Sequence, residues 1–131
     1  MEKIIIASGP VIVEDGKVLL DQHGDTTFWK FCGGRIEGLE SDLIAVAYRK
    51  AKEELGIDIE ILNPEPFITH TIKETADGKL DVILVHYLAK RIGEVKPGPE
   101  IREWAWLDTA ALPVNLAPNI LPVLKHFSFL S

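Results

Sequence analysis

The stretch "YRKAKEELG", Tyr48 to Gly56, decides how this chain folds. Ile44, Ala47, Tyr48, Ala51 and Leu55 recur at i, i+3, i+4, i+7 and i+11, which predicts a helix over 41–55 with one packing stripe. Gly56 ends it, because glycine accepts the left-handed backbone that closes a helix. At about 100° per residue, Glu53, Lys50 and Glu54 share one sector roughly 100° wide, with Lys50 projected between the two carboxylates. Adjacent carboxylates on a rigid element suit Mg²⁺, a hard ion that takes one or two protein carboxylates plus substrate phosphates. A Glu-Glu pair near a helix end is otherwise an ordinary solvated face, and Lys50 with Glu54 is a helical pair worth about 0.2–0.5 kcal/mol.

Outward from the helix, apolar and β-branched runs at 3–13 and 17–22 flank "EDGK", and "FITHTIKE" and "LDVILVHYLAK" flank "ADGK". Asp-Gly between such runs predicts two hairpins. "EVKPGPEI", 94–101, is a loop, since Pro97, Gly98 and Pro99 continue neither regular structure. "EWAWL" then reads as a strand, and "NILPVLKHF" as a short terminal helix with Pro122 near its first turn. Strands on both sides of a central helix give an α/β (α+β) sandwich.

The 131 residues, 47% hydrophobic and 26% charged, fit one domain spanning 1–131. The apolar opening is interrupted by Ser8, Gly9 and Pro10, short of a signal segment or membrane span. Cys32, the single cysteine, forms no internal disulfide and fits a reducing, cytoplasmic setting. A net charge of -6 argues against a nucleic-acid polymer as partner, because such affinity comes from Lys and Arg neutralising phosphates. A small phosphate-bearing ligand would need a local cation.

The segment "FWKFCGGRIEGLESDLIAVAYRKAKEELGI", Phe28 to Ile57, resembles the signature of the Nudix hydrolase (MutT-like) family. Gly33, Gly34, Glu37, Glu40, Arg49, Glu53, Glu54, Gly56 and Ile57 fall at or near its places. The resemblance implies an α/β/α sandwich with a mixed sheet. It also implies hydrolysis of a phosphoanhydride in a nucleotide or nucleoside diphosphate derivative with Mg²⁺ or Mn²⁺. It assigns Glu53, Glu54 and Gly34 to the metal, Gly33, Gly34 and Arg35 to a phosphate loop, and Glu37, Glu40 and Gly56 to the motif's framework. Dimers are frequent among relatives, so a homodimer is compatible with it. On physical grounds, Gly33 and Gly34 allow positive φ and close backbone approach, and Arg49, one turn before Glu53, can hold that carboxylate or Glu37 in a forked pair.

The chain departs from the pattern twice. Eight residues rather than seven separate Glu40 from Arg49, so counting back from the helix puts Ser41 at the glutamate's place. Lys50 replaces the first glutamate of the Arg-Glu pair, which relatives use as a metal ligand or to orient water. Its ammonium should repel Mg²⁺, and loss of a general base costs on the order of 10² to 10⁴ in rate. In relatives the base also lies in the loop before the Trp-Leu strand, where Glu100 and Glu103 stand here, Glu103 having the better spacing. Phe28, Trp29, Phe31, Trp104 and Trp106 could stack a nucleobase or pack the core. The four histidines show no metal-ligand spacing, and neither they nor Cys32 receive a role. Two further readings stand beside the hydrolase: a non-hydrolysing nucleotide-binding module, favoured by Lys50, and a domain whose box is vestigial and serves protein contacts.

Overall fold

The computed structural model describes residues 4–38 and 41–130, so Glu40 lies outside the described residues. The chain runs β1 (Ile4–Val11), β2 (Val13–Glu14), β3 (Lys17–His23), β4 (Gly34–Arg35), α1 (Leu43–Leu55), β5 (Asp58–Ile61), β6 (Phe67–Thr75), β7 (Gly78–Ile92), β8 (Ile101–Asp108) and α2 (Ile120–His126). β7 is the shared strand of the larger sheet. β1 lies parallel to it from Ile4↔Asp81 to Val11↔Leu88, and β6 and β5 pair antiparallel with its first and last parts. β4 adds antiparallel to β1, and β2, β3 and β8 form a separate antiparallel sheet.

The second hairpin forms as expected, closing at Thr75↔Gly78. The first is much shorter. Only Val13↔Val18 and Glu14↔Lys17 pair, across Asp15 and Gly16, whose φ values of 50° and 75° give the doubly left-handed backbone of a tight hairpin. The run 3–13 is therefore not one strand: it leaves the small sheet before Val13, and β1 takes β7, a partner remote in sequence. A local turn signal fixes the nearest pairs but not a non-local partner.

Alternation along β3 sets the layers. Leu19 joins the cluster of Ala47, Ala51 and Leu55 from α1 with Val85 and Tyr87 from β7. Val18 and Leu20 join Val11, Phe31 and the α2 residues Ile120, Val123 and Leu124. Because side chains on a strand alternate between faces, the two helices lie on opposite sides of the β-structure, as an α/β/α sandwich requires. Trp106 packs in the first cluster and Trp29 and Phe31 in the second, so these aromatics serve the core. Among the described residues no helix is long and apolar enough to cross a membrane.

α1 begins two residues later than periodicity predicts, because Asp42 is its cap: its carboxylate accepts from the Ile44 and Ala45 N–H groups at 3.1 Å. It ends at Gly56 with φ 67°. The Pro-Gly-Pro loop closes the exposed end, donating Lys96 N–H to the Leu55 carbonyl at 2.7 Å and Gly98 N–H to that of Glu54 at 2.9 Å. That loop therefore holds the turn carrying both glutamates.

His86 is buried on β7. Its Nδ1 donates to the Phe67 carbonyl at 3.0 Å, which leaves Nε2 to accept from the Asn119 amide at 2.9 Å. Burial pushes its pKa below the ordinary 6.5 despite the Phe67 bond. Between the two values the unfolded chain binds more protons, so stability falls as pH drops below 6.5. His86→Gln removes this contribution, and its denaturation midpoint should decline less steeply than that of the wild type below pH 6.5. Parallel slopes in urea titrations would refute the assignment.

Candidate functional site

The site is built where two stretches of backbone touch. A Cβ on Gly9 would lie 2.0 Å from the Cys32 carbonyl oxygen, and one on Gly33, where φ is +153°, would lie 2.8 Å from that of Ser8. The loop before α1 thus rests directly on β1, and Gly34↔Ser8 continues the contact as β4. Two side chains lock α1 to the same place: Ser8 Oγ donates to the Leu43 carbonyl at 2.6 Å, and Cys32 Sγ donates to that of Lys50 at 3.6 Å. Cys32 is a packing residue whose thiol pKa is raised, first by burial.

The structure divides the helical sector that carries Lys50, Glu53 and Glu54. Glu53 is half exposed, with Arg49 Nη1 at 3.2 Å and Lys50 Nζ at 3.3 Å. Arg49 first, then Lys50, holds its carboxyl below the ordinary range. Glu37 joins this group from the loop, 3.6 Å from Arg49 and 3.8 Å from Lys50. Lys50 is not in open solvent: its stem lies over Gly34, where a Cβ would meet Lys50 Cε at 2.5 Å. Arg49 thus meets both carboxylates through Nη1, hydrogen-bonded to Glu53 and at ion-pair distance from Glu37, rather than gripping either one with a two-pronged fork.

Glu54 faces inward, 3% exposed, and accepts the Gly33 N–H at 3.2 Å. His23 Nε2 stands 3.3 Å from Glu54 Oε1 and 3.4 Å from Asp21 Oδ1, with Lys30 Nζ 3.9 Å from Asp21. Burial opposes ionisation of Glu54, but His23, Lys30 and the Gly33 N–H outweigh it and lower its pKa. Asp21 and then Glu54 raise His23 to about 9. Sequence spacing misses Asp21 and His23, because their partner comes from a helix 31 residues beyond His23. One signal was available: in "VLLDQH" a carboxylate interrupts a strand otherwise buried on both faces.

Glu103 does not join this group. It pairs opposite Gln22, and Gln22 alternates with Asp21, so Glu103 shares the side of Leu20 and α2 rather than that of Glu54. Trp104, opposite Asp21, takes the α1 side.

On the sheet face away from α1 lies a cavity of about 570 Å³, lined by Ala7, Phe28, Lys30, Leu84, His86 and Asn119 among others. Gly33, Gly34 and Arg35 form part of its wall. The glycine loop therefore borders the cavity on one side and donates to Glu54 on the other.

The NUDIX domain family model matches residues 4–127, and this chain belongs to that family of hydrolases acting on nucleoside diphosphate derivatives. Solved structures share its fold. A MutT NUDIX hydrolase from Burkholderia pseudomallei matches with TM-score 0.76 at 24% identity, over 95% of this chain and 98% of the other. A NUDIX-family hydrolase from Clostridium perfringens matches with TM-score 0.73 at 21% identity, over 96% and 95%. An ADP-ribose pyrophosphatase from Streptococcus suis matches with TM-score 0.67 at 22% identity, over 92% and 87%. No curated protein matches the chain significantly.

Gly9→Ala tests the contact on which the site is built. Relieving the clash must move β1 or the loop, so the variant should lose about 1–3 kcal/mol of stability, read as a lower thermal midpoint. Melting indistinguishable from wild type would show that the backbone contact is dispensable.

Proposed function

We propose that this chain hydrolyses a phosphoanhydride bond in a nucleotide or nucleoside diphosphate derivative with the help of a divalent cation, Mg²⁺ or Mn²⁺. One observation carries the reading: the Gly33–Arg35 loop joins the cavity to Glu54 of α1. A nucleoside seated in the cavity against Phe28 would run its phosphates over the loop toward Glu54, with Arg35 and Lys30 at the wall to meet their charge. In the reaction a water oxygen bonds to phosphorus, the bridging P–O bond breaks, and the water's proton passes to a carboxylate.

The donors fit such an ion in type. Glu54 is held ionised and fixed by Gly33, Glu53 precedes it on the same turn, and the Gly34 carbonyl lies in the adjoining loop, but Glu53 points outward and must leave Arg49 and Lys50 to share an ion with Glu54. These residues would hold the ion, which when bound polarises the phosphate and makes water more acidic. Lys50 opposes this arrangement from the Glu53 side. Its position, 3.3 Å from Glu53 Oε2, favours a second reading, a nucleotide-binding module without turnover. That reading expects nucleotide binding in the presence of chelator and no product.

A panel of nucleoside diphosphate derivatives and nucleotides with Mg²⁺ or Mn²⁺ should yield a phosphorylated product from at least one member. Silence across the panel would overturn the hydrolase. Lys50→Glu removes the ammonium and adds a carboxylate at i relative to Glu53 and Glu54. Even at the dielectric of water, a unit charge about 4 Å from a divalent ion is worth about 2 kcal/mol, so Mg²⁺ affinity should rise about tenfold or more. Hydrolysis should rise with it. Lys50→Ala should recover metal affinity more than rate, because it removes repulsion without supplying a ligand or base. Calorimetric titration showing no gain in either folded variant would place the ion elsewhere than beside Glu53.

A further inference from the structure

Asp21 has no exposed surface, yet neither of its carboxylate oxygens accepts a hydrogen bond among the described residues. Buried carboxylates are found paired, hydrogen-bonded or on metal, because stripping their water without compensation is unfavourable. His23 Nε2 faces both Asp21 and Glu54 at ion-pair distance but makes an aligned hydrogen bond to neither. Asp21 and His23 reach this point from one strand, and the β3–β8 register shifts between Gln22 and His23, the kind of irregularity that re-aims a side chain.

One ligand atom from each of Asp21, His23 and Glu54 lies within 4.8 Å of the other two. Atoms about 2.1 Å from a common ion stand roughly 3 to 3.5 Å apart, so a contraction of about an ångström would bring the three onto one centre. Lys30, near Asp21, offsets one of the two carboxylate charges, and the other is balanced either by a proton on His23 or by a bound cation in its place.

We propose that Asp21, His23 and Glu54 form a divalent-cation site of two carboxylates and one imidazole, on the inner side of α1, that takes Mn²⁺, Co²⁺ or Zn²⁺ in preference to Mg²⁺. Imidazole suits first-row transition ions, whereas Mg²⁺ favours an all-oxygen shell. Lys50 does not obstruct this site, because its ammonium lies with Gly34, Glu37 and Glu53 on the outer side. The site goes beyond the hydrolase reading and does not require turnover.

The test uses the full chain after chelator treatment and dialysis, without nucleotide. Mn²⁺ and Mg²⁺ are titrated by calorimetry, and bound Mn²⁺ is examined by pulsed electron paramagnetic resonance for a directly coordinated imidazole nitrogen. Wild type should bind Mn²⁺ with the nitrogen coupling, and Mg²⁺ about tenfold more weakly or less. His23→Gln should abolish the coupling and weaken Mn²⁺ by about tenfold or more, while Glu53→Gln keeps the coupling. Asp21→Asn should weaken Mn²⁺ as well. Asp21 is fully buried, so if that variant does not fold, His23→Gln, at the partly exposed strand end, decides the question alone. Bound Mn²⁺ without nitrogen coupling, or an affinity that His23→Gln leaves unmoved, overturns the site. So does a wild type that binds no divalent ion, in which case His23 itself is the cation, held as imidazolium between the two carboxylates. Product release in the substrate panel without nitrogen coupling removes this site and keeps the hydrolase. Nitrogen-coupled Mn²⁺ with a silent panel does the reverse.

Discussion

The contact between the Ser8–Gly9 backbone and the Cys32–Gly33 backbone is the constraint from which the rest of this site follows. No side chain fits between them, so the loop takes its height from β1 rather than from packing. Gly33 then presents its N–H to Glu54, Cys32 reaches the Lys50 carbonyl, and Gly34 leaves room for the Lys50 stem. A side chain at Gly9 or Gly33 would push the loop off the strand, whereas one at Gly34 would displace only the flexible end of Lys50. Such close approach explains why glycines mark this segment better than any charged residue does.

Charge around α1 is arranged in two compartments. On the outer side, Glu37 and Glu53 face Arg49 and Lys50, four groups whose formal charges cancel, the two carboxylates exposed and the two cations partly covered. Exposed pairs of this kind contribute little to stability. On the inner side, Glu54 and Asp21 are buried with His23 and Lys30, where desolvation makes every unbalanced charge matter. Lys50 therefore acts on Glu53 and leaves Glu54 to a different set of partners. Adjacent positions in a sequence are about 100° apart on a helix, and here that angle separates water from protein interior.

What the sequence shows and what it hides divide along the range of the interactions. Local signals were legible: the α1 stripe, the Gly56 stop, the Asp-Gly turns and the Pro-Gly-Pro loop all act within a few residues. The motif from Gly33 to Ile57 carried the family, and with it the sandwich. Non-local choices were not legible. The run 3–13 divides because β1 finds β7, and nothing near Ile12 announces it. Glu103 has the spacing of a site residue, but strand alternation, fixed by pairing with Gln22, turns it to the α2 side. Asp21 and His23 gain their meaning from Glu54, which only the packing of α1 against the loop and β3 brings near.

The cavity has walls of unequal strength. β1 and β7 are each paired on both sides, whereas β6, which supplies Thr71 and Lys73 to the lining, pairs among the described residues with β7 alone and carries Ile68 and Ile72 exposed. Opening β6 costs one ladder of hydrogen bonds and little burial, so it belongs to the low-free-energy end of local unfolding, while β1, the glycine loop and α1 share the global barrier. Amide exchange should therefore be fast along β6 and slow along β1. A ligand too large for the cavity can enter by displacing its outer wall, while the inner carboxylates keep their places.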